Sequence, residues 1–125
     1  MPITIDFKYN EEKNVLLAQC HGDFTIKEDA EYLYNQMKTN LEQVGKPCWV
    51  ISDVSDMHSK SVKTTIHYSK LTNELRKLKL GTVSVAKSHL QRSGMKLVGT
   101  FRAERIHLAN SIEEAYKKIE ELKNG

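Results

Sequence analysis

Between Ser52 and Lys63 the chain reads SDVSDMHSKSVK, which gathers two aspartates, a histidine, four serines and two lysines. Side chains of these types support two kinds of chemistry. The first is hydrolysis, with Ser55 as nucleophile, His58 as base and Asp53 or Asp56 as the orienting carboxylate. A triad needs the base within reach of the nucleophile and a buried carboxylate behind it. Residues two apart on one short segment seldom meet that geometry, and no Gly-x-Ser-x-Gly elbow is present. We assign no catalytic residue. The second is recognition of an anion. The segment follows the apolar run Cys48–Ile51 and precedes a helical pattern, so it is expected as a loop at the carboxyl end of a strand. Loops and helix N-termini converge at such ends. The first helical turn presents unpaired N–H groups and positive potential. Lys87, in the basic stretch Lys87–Arg92 after the next strand, is expected on the same edge. The candidate binding rim is therefore Asp53, Ser55, His58, Ser59, Lys60, Ser61, Lys63 and Lys87, facing a phosphate or a partner's carboxylate. A plainer reading competes: Ser59 or Ser61 caps the helix and Asp53 bonds its own loop.

Other constellations carry less. His21, His58, His67, His89 and His107 show none of the H-x-H, H-E-x-x-H or C-x-x-C spacings of metal sites, so no metal and no cofactor is expected. Cys20 and His21 are neighbours on a strand and diverge to opposite faces. Gly94 and Gly99 do not form a phosphate loop. The basic segments lack interleaved aromatics, which argues against nucleic acid.

The elements that must position the rim follow from periodicity. Ile3–Phe7 alternates and Val15–Cys20 is apolar across a polar turn, giving an antiparallel hairpin that the stretch Gly22-Asp-Phe-Thr25 stops. Thr25-Ile-Lys-Glu28 has the form of a capping box, and Ala30, Leu33, Met37, Leu41 and Val44 follow as a helical stripe. Gly45 and Pro47 end that helix. Cys48–Ile51 is apolar on consecutive residues, as in a strand covered on both faces, with Trp49 in the core. A second helix runs from Ser61 to about Lys79, with Tyr68, Leu71, Leu75 and Leu78 inward; Gly81 ends it and Thr82–Ala86 is a strand. Leu90, Gly94, Leu97, Val98 and Phe101 outline a third helix, Arg105–Leu108 a last strand. Ser111-Ile-Glu-Glu114 caps a final helix with Ile112, Ala115, Tyr116, Ile119 and Leu122 inward. The order β-β-α-β-α-β-α-β-α implies an α/β fold, a mostly parallel sheet with an N-terminal antiparallel hairpin and helices packed on it.

The 125 residues, 39% apolar and 28% charged, fit one domain spanning 1–125. No apolar run reaches the roughly 20 residues of a membrane span, and MPITIDFKYN lacks the features of a secretory signal. Two cysteines in apolar strands read as free, buried thiols in a reducing compartment, so a cytoplasmic protein is expected. The net charge of +3 is unevenly spread: residues 57–107 hold 11 Lys/Arg against Glu74 and Glu104 alone. Such a block can mark a partner surface or be a solvated helix face.

Three passages resemble the STAS and SpoIIAA-like proteins, which include anti-sigma-factor antagonists and sulfate-transporter C-terminal domains. They are Gly22-Asp-Phe-Thr-Ile-Lys-Glu-Asp29, Trp49-Val-Ile-Ser-Asp-Val-Ser-Asp-Met57 and Arg105-Ile-His-Leu-Ala-Asn-Ser-Ile-Glu-Glu-Ala115. The resemblance implies a SpoIIAA-like fold and a non-enzymatic regulatory or protein-interaction role, with a protein partner. Self-association is a further option read from the residues, since Tyr32 and Tyr34 cannot both face inward on the first helix and the exposed one could serve a homo-oligomer face. It also implies an Asp-Ser-Ser-Gly segment with a phosphorylated serine near Ser61–Thr64. Here the sequence departs, since Lys63 stands at that serine's place and no glycine follows. Relatives of this group include lipid-binding folds, so the alternative function is a carrier of a lipid or other small apolar ligand between helices and sheet.

Overall fold

The computed structural model describes residues 1–59, 61–102 and 104–125, with the backbone alone at 101 and 102. Lys60 and the side chain of Phe101 thus lie outside the described residues. The elements are β1 (Thr4–Asn10), β2 (Val15–Phe24), α1 (Lys27–Val44), β3 (Cys48–Ser59) and α2 (Val62–Thr72). A 3-10 segment over Asn73–Leu78 leads into β4 (Lys79–Val85), α3 (His89–Arg102), β5 (Ile106–Ala109) and α4 (Ile112–Asn124). The β-β-α-β-α-β-α-β-α order is the expected one.

The five strands lie side by side in chain order, β1–β2 antiparallel and every later pair parallel. Parallel neighbours need crossover helices. When each crossover keeps the same hand and steps the same way, its helix lands on the same face. Accordingly α1, α2 and α3 share one face, where Leu33, Met37, Leu41, Leu75, Met95 and Val98 pack with Leu16, Cys20 and Val50. After β5 the chain turns back, and α4 covers the other face, setting Ala115 and Ile119 against Val15, Ile51 and Val83. Val50 and Ile51 enter different cores, which is why β3 is apolar on consecutive residues.

Several boundaries differ from the sequence reading. β2 does not stop before Gly22 but runs to Phe24. Gly22 takes φ +95°, and a Cβ there would stand 2.2 Å from the Pro2 carbonyl oxygen, so the missing side chain lets Met1–Pro2 cross the strand. The first helix starts one residue later than the Thr25–Glu28 box predicts. Asp29 does the capping, its Oδ2 accepting from the N–H groups of Ile26 (3.1 Å) and Thr25 (2.9 Å). At Ser111 half of the box forms as read, with Ser111 Oγ accepting from Glu114 N–H at 3.1 Å, while the Glu114 carboxylate accepts from Asn110 N–H at 3.3 Å, one residue before the cap. The second helix is shorter than expected: it tightens at Asn73, and β4 already begins at Lys79, placing Gly81 within the strand. A Cβ on Gly81 would lie 2.6 Å from the Trp49 ring, so the glycine gives the indole its place under α4.

Candidate functional site

The largest correction falls on the rim itself. Ser52–Ser59 is strand, not loop: β3 is twelve residues long, and its second half pairs with β2 from His21↔Asp56 to Phe24↔Ser59. Between Gln19↔Asp53 and His21↔Asp56 the register shifts by one residue on β3, a bulge. Its effect is to turn Ser55 and Asp56 both away from the helical face that Val54 and Met57 meet. Asp53 Oδ1 accepts from Ser55 N–H at 3.0 Å and from Ser55 Oγ at 2.6 Å, while Gln19 Nε2 reaches Asp53 at 3.5 Å. Asp56 Oδ2 lies 3.1 Å from His21 Nδ1, and Asp6 lies 3.4 Å from His21 Nε2. Cys20 and His21 diverge, the thiol buried and the imidazole on the outer face.

The predicted rim is therefore split by the sheet. Asp53 and Ser55 satisfy each other on one side. His58 and Ser59 reach the helical side, where Ser59 Oγ lies 3.3 Å from Thr65 Oγ1. Ser61 is the N-cap of α2, its Oγ accepting from Thr64 N–H at 3.2 Å. Lys63 is exposed in the first turn of α2, and Lys87 is exposed between β4 and α3. Gln91 ties that second turn to β3: its Oε1 accepts from Lys87 and Ser88 N–H (2.9 and 3.2 Å), and its Nε2 donates to the Ser55 carbonyl at 2.9 Å. Among the described residues no group of three His, Cys, Asp or Glu side chains stands close enough to hold a metal ion.

What the two helix starts enclose was not foreseen in that rim. A cavity of about 440 Å³ lies between the sheet, α2 and α3. Val50, Val54, Met57, Tyr68, Leu75 and Val98 supply much of its wall. Its origin is local and chemical. At inward positions of α2 the chain carries Thr65, Ser69 and Thr72, which turn their hydroxyls onto the helix's own carbonyls of Ser61, Thr65 and Tyr68. Short side chains at Thr65 and Thr72, with Ser52 below and Gly94 opposite, leave the space between helix and sheet unfilled. A Cβ on Gly94 would meet no atom within 4 Å.

The two ends of the cavity differ. At the inner end Lys79 Nζ donates to Glu104 Oε1 (3.1 Å) and Thr82 Oγ1 (3.1 Å), and Thr82 Oγ1 donates to Glu104 Oε2 at 2.8 Å. With side chains only 5% and 13% exposed, this pair is a matched internal charge. Cys20 lines the wall with its thiol pushed up to about 12 by burial and then by the charge of Asp53, so it presents neutral sulfur. At the outer end Val62 and Leu90, 67% and 69% exposed, flank the opening on α2 and α3 beside His58 and Ser59. A sequence signal for this site exists in hindsight: hydroxyl residues where an apolar helix stripe is due, and a glycine in the facing helix.

Neither a protein-family model nor a curated protein matches the sequence. Solved structures do match it. An uncharacterised protein with a SpoIIAA-like fold from Shewanella loihica PV-4 is similar at TM-score 0.67 and 16% identity, over 93% of this chain and 92% of that one. An anti-sigma factor antagonist from Mycobacterium paratuberculosis is similar at TM-score 0.65 and 16% identity, over 94% of each chain. The anti-sigma factor antagonist SpoIIAA in its unphosphorylated form is similar at TM-score 0.58 and 10% identity, over 98% of this chain and 100% of that one. Agreement of backbone over nearly the whole length, with a five-stranded sheet and helices on both faces, gives this chain the SpoIIAA-like fold.

Proposed function

We propose that the chain is a non-enzymatic regulatory domain that works by binding a protein partner. The observation that carries this reading is the overlap, over more than nine-tenths of the chain, with two anti-sigma factor antagonists. The edge best suited to contact is where α2 and α3 begin, with Ser59, Ser61, Lys63 and Lys87 beside exposed Val62 and Leu90. An acidic partner surface would find cations and helix N-termini there together. The test is affinity capture with the wild-type chain and with a Lys63→Glu/Lys87→Glu variant. A protein retained by the first and lost by the second supports the reading. Identical capture by both removes the edge from it.

A second reading is favoured by a specific observation, the 440 Å³ cavity. Spaces of about 300–1,000 Å³ with mostly apolar walls and a few polar groups are typical small-molecule sites. On this reading the domain carries a small apolar ligand between α2, α3 and the sheet. Native mass spectrometry of the purified chain, looking for a bound organic adduct, distinguishes it from a protein-binding role alone.

A further inference from the structure

We propose that the cavity takes a single-chain amphiphile of the fatty-acid class, tail inward and anionic head at the opening between the starts of α2 and α3. The inference rests on the carrier reading and adds to it the class and the direction of the ligand.

The direction follows from how charge is distributed around the space. At the inner end Lys79, the one lysine or arginine in the wall among the described residues, is already matched by Glu104 and bonded to Thr82. A carboxylate arriving there would meet Glu104 as well as Lys79, and would have to be stripped of water to do so. The outer end is different. Residues 57–107 contain only two acids, Glu74 and Glu104, and neither stands at the opening. Glu104 is at the inner end, and Glu74, past the end of α2, takes a hydrogen bond from Tyr34. The acids of β3 are on the other face, with Asp53 bonded to Ser55 and Asp56 to His21. On the neighbouring start of α1, Asp29 is occupied by the Thr25 and Ile26 N–H groups, and Glu28 is the exposed acid. Asp23, opposite His58 on β2, is engaged by the Met1 amine at 2.8 Å. Lys63 and Lys87 are exposed and next in sequence to the wall residues Val62 and Ser88, and neither takes part in an ion pair among the described residues.

Shape agrees with charge. The walls that reach inward are carbon and neutral sulfur, from Cys20, Val50, Val54 and Leu75 to Tyr68 and Val98. Apolar Val62 and Leu90 continue that lining to the surface, where a tail would enter. The α2 hydroxyls at Thr65 and Thr72 are spent on helix carbonyls, so they ask nothing of a ligand. Together these favour an apolar chain over a sugar or nucleotide, whose polar groups would find few partners here.

The experiment uses the full chain with a neutral apolar dye, N-phenylnaphthylamine, displaced by decanoate or by decanol. Decanoate is expected to bind about tenfold tighter than decanol, the sum of two exposed cations and two helix starts. Lys63→Glu/Lys87→Glu should erase most of that advantage and leave decanol unchanged. Added salt should weaken decanoate alone. If both ligands bind equally, or the double variant keeps the decanoate preference, the head-outward assignment is overturned while the carrier reading stands. If neither displaces the dye and neither binds in direct titration, both fall together. Thr72→Leu, which narrows the cavity, is expected to weaken both ligands; undiminished binding would place them elsewhere and overturn the proposal.

Discussion

His107 shows how one side chain carries a pH dependence that no motif announces. It sits on β5 opposite Val83, between Arg105 in sequence and Lys118 on α4. Burial first, and then those two positive charges, hold its imidazole below the ordinary value of 6.5. As pH falls, the unfolded chain therefore takes the proton before the folded one does. The contribution to stability is complete above the unfolded value and is lost as pH drops through the folded one. Urea midpoints measured between about pH 7.5 and about pH 5 should fall, and His107→Gln should flatten that fall. An unchanged slope in the variant would assign the dependence to other groups. At this same scale Cys20 and Cys48 are the buried thiols the sequence predicts, and of the two serines named in the competing capping reading, Ser59 or Ser61, it is Ser61 that caps α2. The plainer reading that Asp53 bonds its own segment also holds, in its bonds from Ser55 N–H and Oγ; that the pair faces away from the helices could not be read, because the bulge in β3 depends on β2.

At the scale of elements, helix starts separate what pattern predicts from what packing selects. Thr25-Ile-Lys-Glu28 fits a capping box, yet Asp29 makes the bonds. The start is displaced because β2 extends to Phe24, which packs edge-on against Tyr68 at 5.8 Å, and because the Thr25 carbonyl accepts from Thr64 Oγ1 at 2.8 Å. Asp29→Ala should lower stability by about 1 kcal/mol, whereas Thr25→Ala should leave it within a few tenths. Urea unfolding reads both, and the reverse order would restore the sequence's box. The long β3 was missed for a related reason. Its outer two-thirds, Ser52–Ser59, is polar and serine-rich, and reads as a loop in isolation. Pairing with β2 on one side, with Gln91 donating to the Ser55 carbonyl, gives that backbone its partners.

For the whole molecule the cavity decides most. A fold that leaves about 440 Å³ beside its central strand should gain from filling it. Thr72→Leu removes a hydroxyl whose acceptor is its own helix and adds carbon to the space. We expect stabilisation of roughly 0.5–2 kcal/mol, seen as a higher urea midpoint with unchanged slope. A loss of about 1–3 kcal/mol, the signature of overpacking, would mean that the wall is already tight there. The sequence by itself determined the element order, the antiparallel opening, the mostly parallel sheet and the two covered faces of Cys48–Ile51, since periodicity and turn residues are local and each element carries its own. Only the tertiary structure decided which side of the sheet each polar residue faces, that the aspartates are turned away from the basic helix starts, and that small side chains from three elements meet to leave one space. Those outcomes depend on pairing and packing between residues far apart in the chain, and no window of sequence contains them.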